Sequence, residues 1–173
     1  ALAAGNAFIL KPSEMTPLVA HKVADILADA GLPAGLFQII HGTHEIGRAI
    51  CEHPSIAKIS LTGGVDTGKL IMSQSAKTLK KITLELGGKS ALLIFDDCDF
   101  DLAVQTALDA NFYTAGEVCS NATRVFVQRS IADKFIAAMV KKAEHIVVGD
   151  PMAADVQMGA LISAEHLSKV LNY

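Results

Sequence analysis

Short apolar runs alternate with longer segments whose apolar residues recur at helical spacing along the whole chain. Runs of four or five apolar residues have the length of buried strands, whereas apolar residues that return every three or four positions indicate helices. In the first half, the pattern predicts strands at 7–11, 37–40, 57–61 and 82–86, and helices at 17–30, 45–52 and 69–76. Because strands and helices alternate, we expect a parallel sheet with right-handed crossovers.

The first predicted helix carries clear signals at both ends. Thr16 is a favourable N-cap residue, Pro17 suits the first helical position, and Gly31 is typical of a helix end. The apolar stripe of this helix consists of Val19, Val23, Ile26, Leu27 and Ala30.

A second block of elements follows Gly87 and Gly88. The pattern predicts strands at 91–95 and 124–127 and helices at 99–113 and 132–146, with a last helix that begins near Ser163. The paired glycines interrupt the pattern, so we place a domain boundary near 86–88. The sequence therefore predicts an α/β fold in two parts, 1–86 and 87–173.

Composition excludes several classes of protein. With 51% hydrophobic and 19% charged residues, the chain does not have the composition of a disordered protein. A net charge of −3 argues against a nucleic-acid partner or an anionic membrane surface, because both need a basic face. No apolar run approaches the roughly 18 residues of a membrane span. The three neighbouring lysines Lys77, Lys80 and Lys81 are interpreted as a solvated face.

The cysteines and histidines predict neither a disulfide framework nor a metal site. Cys51, Cys98 and Cys119 are few and irregularly spaced, and no Cys/His cluster has the spacing of zinc ligands. The six histidines are interpreted as structural or surface residues. This cysteine usage fits a reducing, cytoplasmic setting. The chain begins without Met and ends within a predicted helix, so we expect a piece of a longer protein.

Two stretches match only half of a phosphate-binding loop. The first runs from Gly63 to Lys69 with the right spacing, but Leu70 stands where a hydroxyl should bind Mg²⁺. The second ends in Ser90 and supplies that hydroxyl, but Thr83 replaces its first glycine. A P-loop NTPase is therefore disfavoured. Glycines at a strand-to-helix junction still expose N–H groups that suit a pyrophosphate.

Four short motifs occur in a fixed order and carry the candidate chemistry. They are Lys11-Pro12-Ser13-Glu14, Leu61-Thr62-Gly63-Gly64, Leu84-Glu85-Leu86-Gly87-Gly88-Lys89-Ser90 and Gly116-Glu117-Val118-Cys119-Ser120. Together the motifs resemble the NAD(P)-dependent aldehyde dehydrogenase superfamily, in which Cys119 follows Glu85 at the distance that the family pattern requires. The resemblance covers the whole chain.

The resemblance implies NAD-dependent oxidation of an aldehyde to a carboxylate. Cys119 would be the nucleophile, since a thiolate adds readily to an aldehyde carbon and forms a thiohemiacetal. The backbone N–H of Cys119 would help to hold the oxyanion. Hydride transfer to the nicotinamide then leaves a thioester, and Glu85 would activate the water that hydrolyses it. Glu117 stands where the family usually has Gln, and its charge would disfavour the Cys119 thiolate.

The same resemblance assigns a cofactor site. Lys11 and Glu14 would bind the adenosine ribose of NAD, because an ammonium donates to hydroxyls and a carboxylate accepts from them. Glu14 would also repel the extra phosphate of NADP. Gly87 would allow close approach of the nicotinamide. The segment beneath the pyrophosphate and nicotinamide would be Gly64, Val65, Asp66 and Thr67, and Pro12 and Ser13 would shape the ribose segment.

Each part of the chain receives a role from the resemblance. Residues 1–86 would form a doubly wound, Rossmann-like NAD-binding domain, and residues 87–173 the start of an α/β catalytic thiol domain. The resemblance also implies a potassium ion held by backbone carbonyls, near Met15, and a homo-oligomer, dimer or tetramer, of the full-length protein. The 173 residues alone would fold poorly and be inactive.

Three further stretches resemble the betaine aldehyde dehydrogenase branch of the family: Thr62-Gly63-Gly64-Val65, Asn111-Phe112 and Thr123-Arg124-Val125-Phe126-Val127. They imply a small-molecule substrate, betaine aldehyde, and glycine betaine as product. Tyr113 would belong to an aromatic wall that attracts the trimethylammonium group, with a core aromatic at a helix end as the alternative. Dehydrogenases of trimethylaminobutyraldehyde or of aminoaldehydes remain open. A non-catalytic relative is disfavoured because both Glu85 and Cys119 are present.

Overall fold

A computed structural model describes all 173 residues. Strands and helices follow one another largely as the sequence pattern predicts. In chain order they are β1 (Phe8–Leu10), α1 (Leu18–Asp29), β2 (Phe37–Ile39), α2 (His44–Glu52), β3 (Lys58–Gly63), α3 (Val65–Ser75), β4 (Lys81–Leu86), β5 (Ala91–Ile94), α4 (Phe100–Phe112), β6 (Arg124–Val127), α5 (Ala132–Ala143) and α6 (Ala164–Leu171). None of the helices has both the length and the apolar character that crossing a membrane requires.

The chain divides into two compact units, Ala1–Glu85 and Leu86–Tyr173. In the first unit, β1 and β2 are parallel, with Leu10 opposite Ile39, and β3 pairs with β4. In the second unit, β5 and β6 are parallel. The six strands thus form three separate sheets of two strands each. The alternation of elements predicts how strands are connected, but the neighbour of each strand depends on tertiary packing.

The second unit has a continuous apolar core. Ile94 of β5, Phe135 of α5 and three residues of α4 form it, the last being Val104, Ala107 and Leu108. Their spacing of three and four positions puts the α4 residues on one face of the helix. The ring of Phe100 meets Phe135 edge-on, with centroids 6.1 Å apart. This core fixes α4, whose C-terminal end leads into the segment with the candidate thiol.

The start of α1 differs from the prediction. Pro17 occupies the N-cap position and no side chain caps the helix, so the interpretation of Thr16 as the N-cap was wrong. The reason is a turn just before the helix. The Thr16 N–H donates to the carbonyl oxygen of Ser13 at 3.2 Å, and the Ser13 hydroxyl accepts from the N–H of Met15. Thr16 is therefore part of that turn and the helix begins after it.

Of the predicted apolar stripe of α1, only Leu27 belongs to the inward face of the helix. Val19 and Ile26 are exposed, whereas Ala20 is buried and Ala24 and Leu27 are half-buried. Ala20, Ala24 and Leu27 are spaced by four and three residues and therefore lie on one face of the helix. Helix α1 packs against β2. A sheet of only two strands covers a narrow strip of a helix, so most of the large apolar residues of α1 remain in contact with solvent.

Helix α3 begins earlier than predicted. The prediction placed its start at Lys69, but the helix starts at Val65, with Gly64 as its N-cap in an extended conformation. Val65, Asp66 and Thr67 therefore form the first turn of a helix rather than a loop. The sequence signal was masked because Gly64 supplies no capping side chain.

Lys80 does not belong to a solvated face, so that prediction was wrong for this residue. It is 9% exposed, and its Nζ donates to the carbonyl oxygens of His53 at 2.5 Å and Ile56 at 2.6 Å. The hydrocarbon stem tolerates burial because the ammonium finds these acceptors. Lys77 and Lys81 are exposed, as predicted.

Candidate active site

The segment 113–123 joins α4 to β6 and carries Cys119; we call it the thiol loop. It begins with three consecutive residues in the left-handed backbone region, Thr114 at φ 52°, Ala115 at φ 53° and Gly116 at φ 79°. For non-glycine residues this conformation costs roughly 1–3 kcal/mol each and persists only where the surroundings impose it. The strain is typical of a segment that presents a functional group.

Cys119 is the one exposed thiol of the three. Cys51 is a buried residue of α2, which packs against α3, and Cys98 is half-buried. Burial raises the pKa of the Cys51 thiol, and the hydroxyl of Ser75 and the charge of Lys80 oppose that effect only in part. Cys51 therefore stays protonated and inaccessible, which leaves Cys119 as the thiol that a reagent can reach.

Gly88 lies directly against the backbone of Cys119. A Cβ added at Gly88 would be 3.1 Å from the carbonyl oxygen of Cys119, closer than nearly all real Cβ contacts. The neighbouring Gly87, which is expected to admit the nicotinamide, has open space at this position, since an added Cβ meets no atom within 4 Å. Gly88 was missed, although the glycine pair marked the position.

Glu117 is paired across the second unit with a residue of α6. Its Oε1 lies 3.4 Å from Nε2 of His166, which is half-buried on the first turn of that helix. The Glu117 carboxylate therefore has an imidazole partner on α6. His166 was interpreted as a structural or surface residue, and nothing in its local sequence marks this contact.

Ala122 is a buried residue near the end of the thiol loop. Its backbone is not in the left-handed region, so a side chain is tolerated without strain. Its N–H donates to the carbonyl oxygen of Ala110 at 3.0 Å, which ties the end of the thiol loop to α4. The neighbouring Asn121 is 6% exposed, and its Nδ2 has no hydrogen-bond partner.

A cavity of about 880 Å³ adjoins the thiol loop in the second unit. Tyr113, Val118 and Ser120 line it on the loop side, together with residues of α4 and α5. Cys119 is not among the lining residues. Tyr113 is also 73% exposed, so the structure places it at the surface where α4 ends rather than in the core.

Glu85 stands at the penultimate position of β4 and is exposed, as expected for a carboxylate at a strand end. It is the last residue of the first unit, whereas Cys119 belongs to the second. Nowhere in the structure do three His, Cys, Asp or Glu side chains gather as a metal site requires.

The four residues after β1 form a compact polar group. Nζ of Lys11 lies 3.5 Å from Oε1 of Glu14 and donates to the carbonyl oxygen of Pro12 at 3.1 Å. A hydrogen bond from its own backbone, followed by the charge of Lys11, lowers the pKa of the Glu14 carboxyl. The carboxylate is thus charged at neutral pH and open to solvent. Helix α2 passes close by, since an added Cβ at Gly47 would contact the Lys11 stem at 3.9 Å.

The first turn of α3 presents free backbone donors. Gly64 caps the helix without a side chain, so the first N–H groups have no capping acceptor. An added Cβ at Gly64 meets no atom within 4 Å, which leaves open space above this turn. Asp66 is fully exposed, and its carboxylate lies 3.8 Å from Nζ of Lys69.

The whole chain, residues 1–173, matches the sequence pattern of the aldehyde dehydrogenase family. The chain belongs to the aldehyde dehydrogenase family. Among curated members of this family, a betaine aldehyde dehydrogenase of Vibrio vulnificus strain YJ016 is 54% identical to this chain over 171 residues. The aligned region covers 99% of this chain and 35% of that protein. It is 52% identical over 173 residues to the human 4-trimethylaminobutyraldehyde dehydrogenase, covering 100% of this chain and again 35% of the relative.

A crystal structure of the same family has the same fold. It is a betaine aldehyde dehydrogenase from Staphylococcus aureus in complex with NAD⁺, with a TM-score of 0.97 and 42% sequence identity. The match covers 100% of this chain and 35% of that one. The fold is therefore the α/β fold of aldehyde dehydrogenases, as the sequence predicts. The chain spans about a third of the length of the relatives that it matches.

Proposed function

We propose that the protein oxidises an aldehyde to a carboxylate with NAD and that Cys119 is the nucleophile. The observation that carries this proposal is the single exposed thiol on a strained loop, in a chain of the aldehyde dehydrogenase family. The thiolate would add to the aldehyde carbon, and the N–H of Cys119 would donate to the oxyanion. Glu85 would take a proton from the water that hydrolyses the thioester.

The polar groups of the first unit fit a dinucleotide. The Lys11 ammonium and the charged Glu14 carboxylate, 3.5 Å apart, are a donor and an acceptor for ribose hydroxyls. The free N–H groups after Gly64 suit a pyrophosphate, with Val65, Asp66 and Thr67 on that turn. When bound, NAD would accept the hydride of the oxidation. The exposed negative charge at Glu14 disfavours the 2′-phosphate of NADP, so NAD is the proposed cofactor.

The proposed substrate is an aldehyde with a trimethylammonium group, betaine aldehyde first. The two relatives above are named for betaine aldehyde and for 4-trimethylaminobutyraldehyde, and their identities of 54% and 52% do not separate the two. Tyr113, exposed at the start of the thiol loop, offers a ring face that attracts such a cation. Aminoaldehydes are the second candidate class.

Several expectations from the sequence stay predictions. Residues 1–86 are expected to be the NAD-binding domain and residues 87–173 the catalytic thiol domain. Pro12 and Ser13 are expected to shape the ribose site, and Gly87 to allow close approach of the nicotinamide. A potassium ion held by backbone carbonyls, a homo-oligomer and a cytoplasmic location are also expected. The open space beside Gly87 is compatible with a ligand there.

The first experiment follows NADH absorbance with the protein expressed from its own gene. Betaine aldehyde, 4-trimethylaminobutyraldehyde and a neutral aliphatic aldehyde are compared, with Cys119→Ala beside Cys98→Ala as a matched cysteine control. We expect turnover of the cationic aldehydes, loss of it in Cys119→Ala, and its retention in Cys98→Ala.

Each other outcome has a definite meaning. Turnover of the neutral aldehyde alone would keep the thiol chemistry and discard the substrate class. Undiminished turnover in Cys119→Ala would reject the nucleophile. No NADH with any aldehyde would favour the non-catalytic alternative.

A further inference from the structure

The thiol loop needs contacts that hold its strained backbone. Thr114 and Ala115 adopt left-handed conformations that only glycine adopts freely. Backbone hydrogen bonds within the loop, such as Glu117 N–H to the Thr114 carbonyl oxygen at 3.0 Å, are local and do not fix its position. Its position must come from contacts with other elements.

Helix α6 supplies one of these contacts through its first turn. Nε2 of His166 lies 3.4 Å from Oε1 of Glu117, which is two residues from Cys119. His166 is itself held in place, since its backbone N–H donates to the hydroxyl of the N-cap residue Ser163 at 3.1 Å. The backbone of His166 is therefore fixed at the N-terminal end of α6, from which the imidazole reaches the Glu117 carboxylate.

The other end of the same helix reaches a second segment beside the thiol. Nζ of Lys89 lies 4.8 Å from the centroid of the Tyr173 ring, just after α6. Lys89 follows Gly88, which lies against the carbonyl of Cys119. The carbonyl oxygen of Lys89 also accepts from Nε of Arg124 at 3.0 Å, and Arg124 begins β6 directly after the thiol loop. Helix α6 thus contacts both segments that surround Cys119.

We propose that His166 is a positioning residue for Cys119, acting through its ion pair with Glu117. The proposal rests on the proposed function, in which Cys119 is the nucleophile. The His166 imidazole holds the loop to α6 by pairing with the carboxylate that stands two residues before the thiol. The charge matters because an unpaired carboxylate near a thiol disfavours the thiolate, and the thiolate is the reactive form.

The surrounding charges leave this pairing as the main contact of the carboxylate. Glu165 and Lys169 are the other charged residues on α6, and Lys89 is engaged with Tyr173.

The decisive experiment is a double-mutant cycle of His166→Ala and Glu117→Gln in the protein expressed from its own gene. The readout is the rate at which iodoacetamide alkylates Cys119, followed by mass spectrometry of that peptide, with kcat and KM for NAD measured beside it. We expect His166→Ala alone to slow alkylation by about threefold to tenfold, since an unbalanced charge shifts thiolate formation by that order. We expect kcat to fall similarly while KM for NAD stays unchanged.

The coupling between the two positions distinguishes this role from a structural one. In the Glu117→Gln background we expect His166→Ala to have no further effect, because the charge that it balanced is gone. An equal loss in both backgrounds, or an unchanged alkylation rate in His166→Ala, overturns the proposal. If His166→Ala lowers the melting temperature strongly, His166→Gln replaces it, with the same expected pattern.

The alkylation rate does not depend on the reaction that the protein catalyses. If Cys119→Ala retains aldehyde turnover, the proposed function fails while the cycle still reports whether His166 and Glu117 are coupled at the thiol. If the cycle is additive and Cys119→Ala is inactive, only the role of His166 fails.

Discussion

The three thiols of the chain have different surroundings, and these predict their reactivity. Cys51 is 3% exposed and burial raises its pKa, so it stays in the unreactive thiol form at neutral pH. Cys98 is half-buried against the core of the second unit. Cys119 is exposed on the thiol loop. Limited alkylation is therefore expected to label Cys119 first, which makes the reagent a specific probe of the loop.

Tyr113 tests the substrate class at a single side chain. Tyr113→Ala removes the ring face that attracts a trimethylammonium group, a contact worth about 0.5–2 kcal/mol. We expect KM for betaine aldehyde to rise severalfold, and KM for a neutral aldehyde of similar size to change little. Steady-state NADH kinetics with both aldehydes measure this. Equal increases for the two would show that the Tyr113 ring does not recognise the cationic group.

Gly88 tests how closely the backbone around Cys119 is packed. In Gly88→Ala the new methyl group would lie 3.1 Å from the Cys119 carbonyl oxygen, so one of the two segments must move by a few tenths of an ångström. Because small displacements of a reacting group are costly, we expect kcat to fall on the order of tenfold.

The matched control for Gly88→Ala is Gly159→Ala in the same unit. There an added Cβ makes ordinary contacts, the nearest being 3.6 Å from Pro151. The control is expected to retain wild-type kcat. A Gly88→Ala variant with undiminished kcat would mean that the thiol loop adjusts freely to the displacement.

Lys80 tests the stability of the first unit. Lys80→Met keeps the buried stem but removes the donor from the carbonyl oxygens of His53 and Ile56. Leaving such acceptors unpaired costs about 1–3 kcal/mol, so we expect the free energy of unfolding to fall by that amount. Denaturant unfolding measures it. The exposed Lys77→Met is the control, and a similar loss there would contradict the burial argument.

At the scale of elements, helix ends decide where the loops of the candidate site begin. Asp99 caps α4 by accepting from the N–H of Leu102 at 3.1 Å, and Ser163 caps α6 in the same way. Helix α1, in contrast, has no capping side chain because Ser13 and Thr16 form the preceding turn. The caps of α4 and α6 therefore hold the two helices that the thiol loop contacts.

The N-cap of α4, Asp99, should contribute to the free energy of unfolding. Asp99→Ala should lower the free energy of unfolding by about 1 kcal/mol, since it leaves a helix N–H without its acceptor. Thermal and denaturant unfolding measure the loss. Asp101→Ala, an exposed acidic residue in the same first turn, is the control, and its effect should be smaller. Equal losses would indicate that charge at the helix terminus, rather than the cap, is responsible.

At the scale of the whole molecule, many large apolar side chains of these 173 residues are exposed. Leu18, Val19 and Ile26 on α1, Leu93 on β5 and Phe126 on β6 are all more than half exposed. The buried core of the second unit, by comparison, comprises five residues with partly buried neighbours. Such an apolar surface in water favours association and loosens the fold.

The 173-residue chain produced alone is therefore expected to fold poorly and to be inactive. It should bind a dye such as ANS, form aggregates at micromolar concentration and yield no NADH with any of the aldehydes. Dye fluorescence, size-exclusion chromatography and the absorbance assay measure these three properties. A monodisperse sample that turns over aldehyde would reject the expectation.

The sequence alone predicted most of what is local. The order of strands and helices follows from apolar periodicity, because this signal acts within a few residues of the chain. Glu85, Cys119 and the Lys11–Glu14 group could be named as candidates because each motif is contiguous and their order is retained. Family membership rests on the same contiguous motifs.

Only the tertiary structure decided which distant residues meet. Each of four features depends on contacts between residues of different elements. They are the inward face of α1, the burial of Lys80, the contact of Gly88 with Cys119 and the pairing of Glu117 with His166. Periodicity shows that a helix has an apolar face, but the neighbouring sheet determines which residues it covers. A charge near a thiol is equally ambiguous until packing brings its partner beside it, because electrostatic effects depend on distance in space and not along the chain.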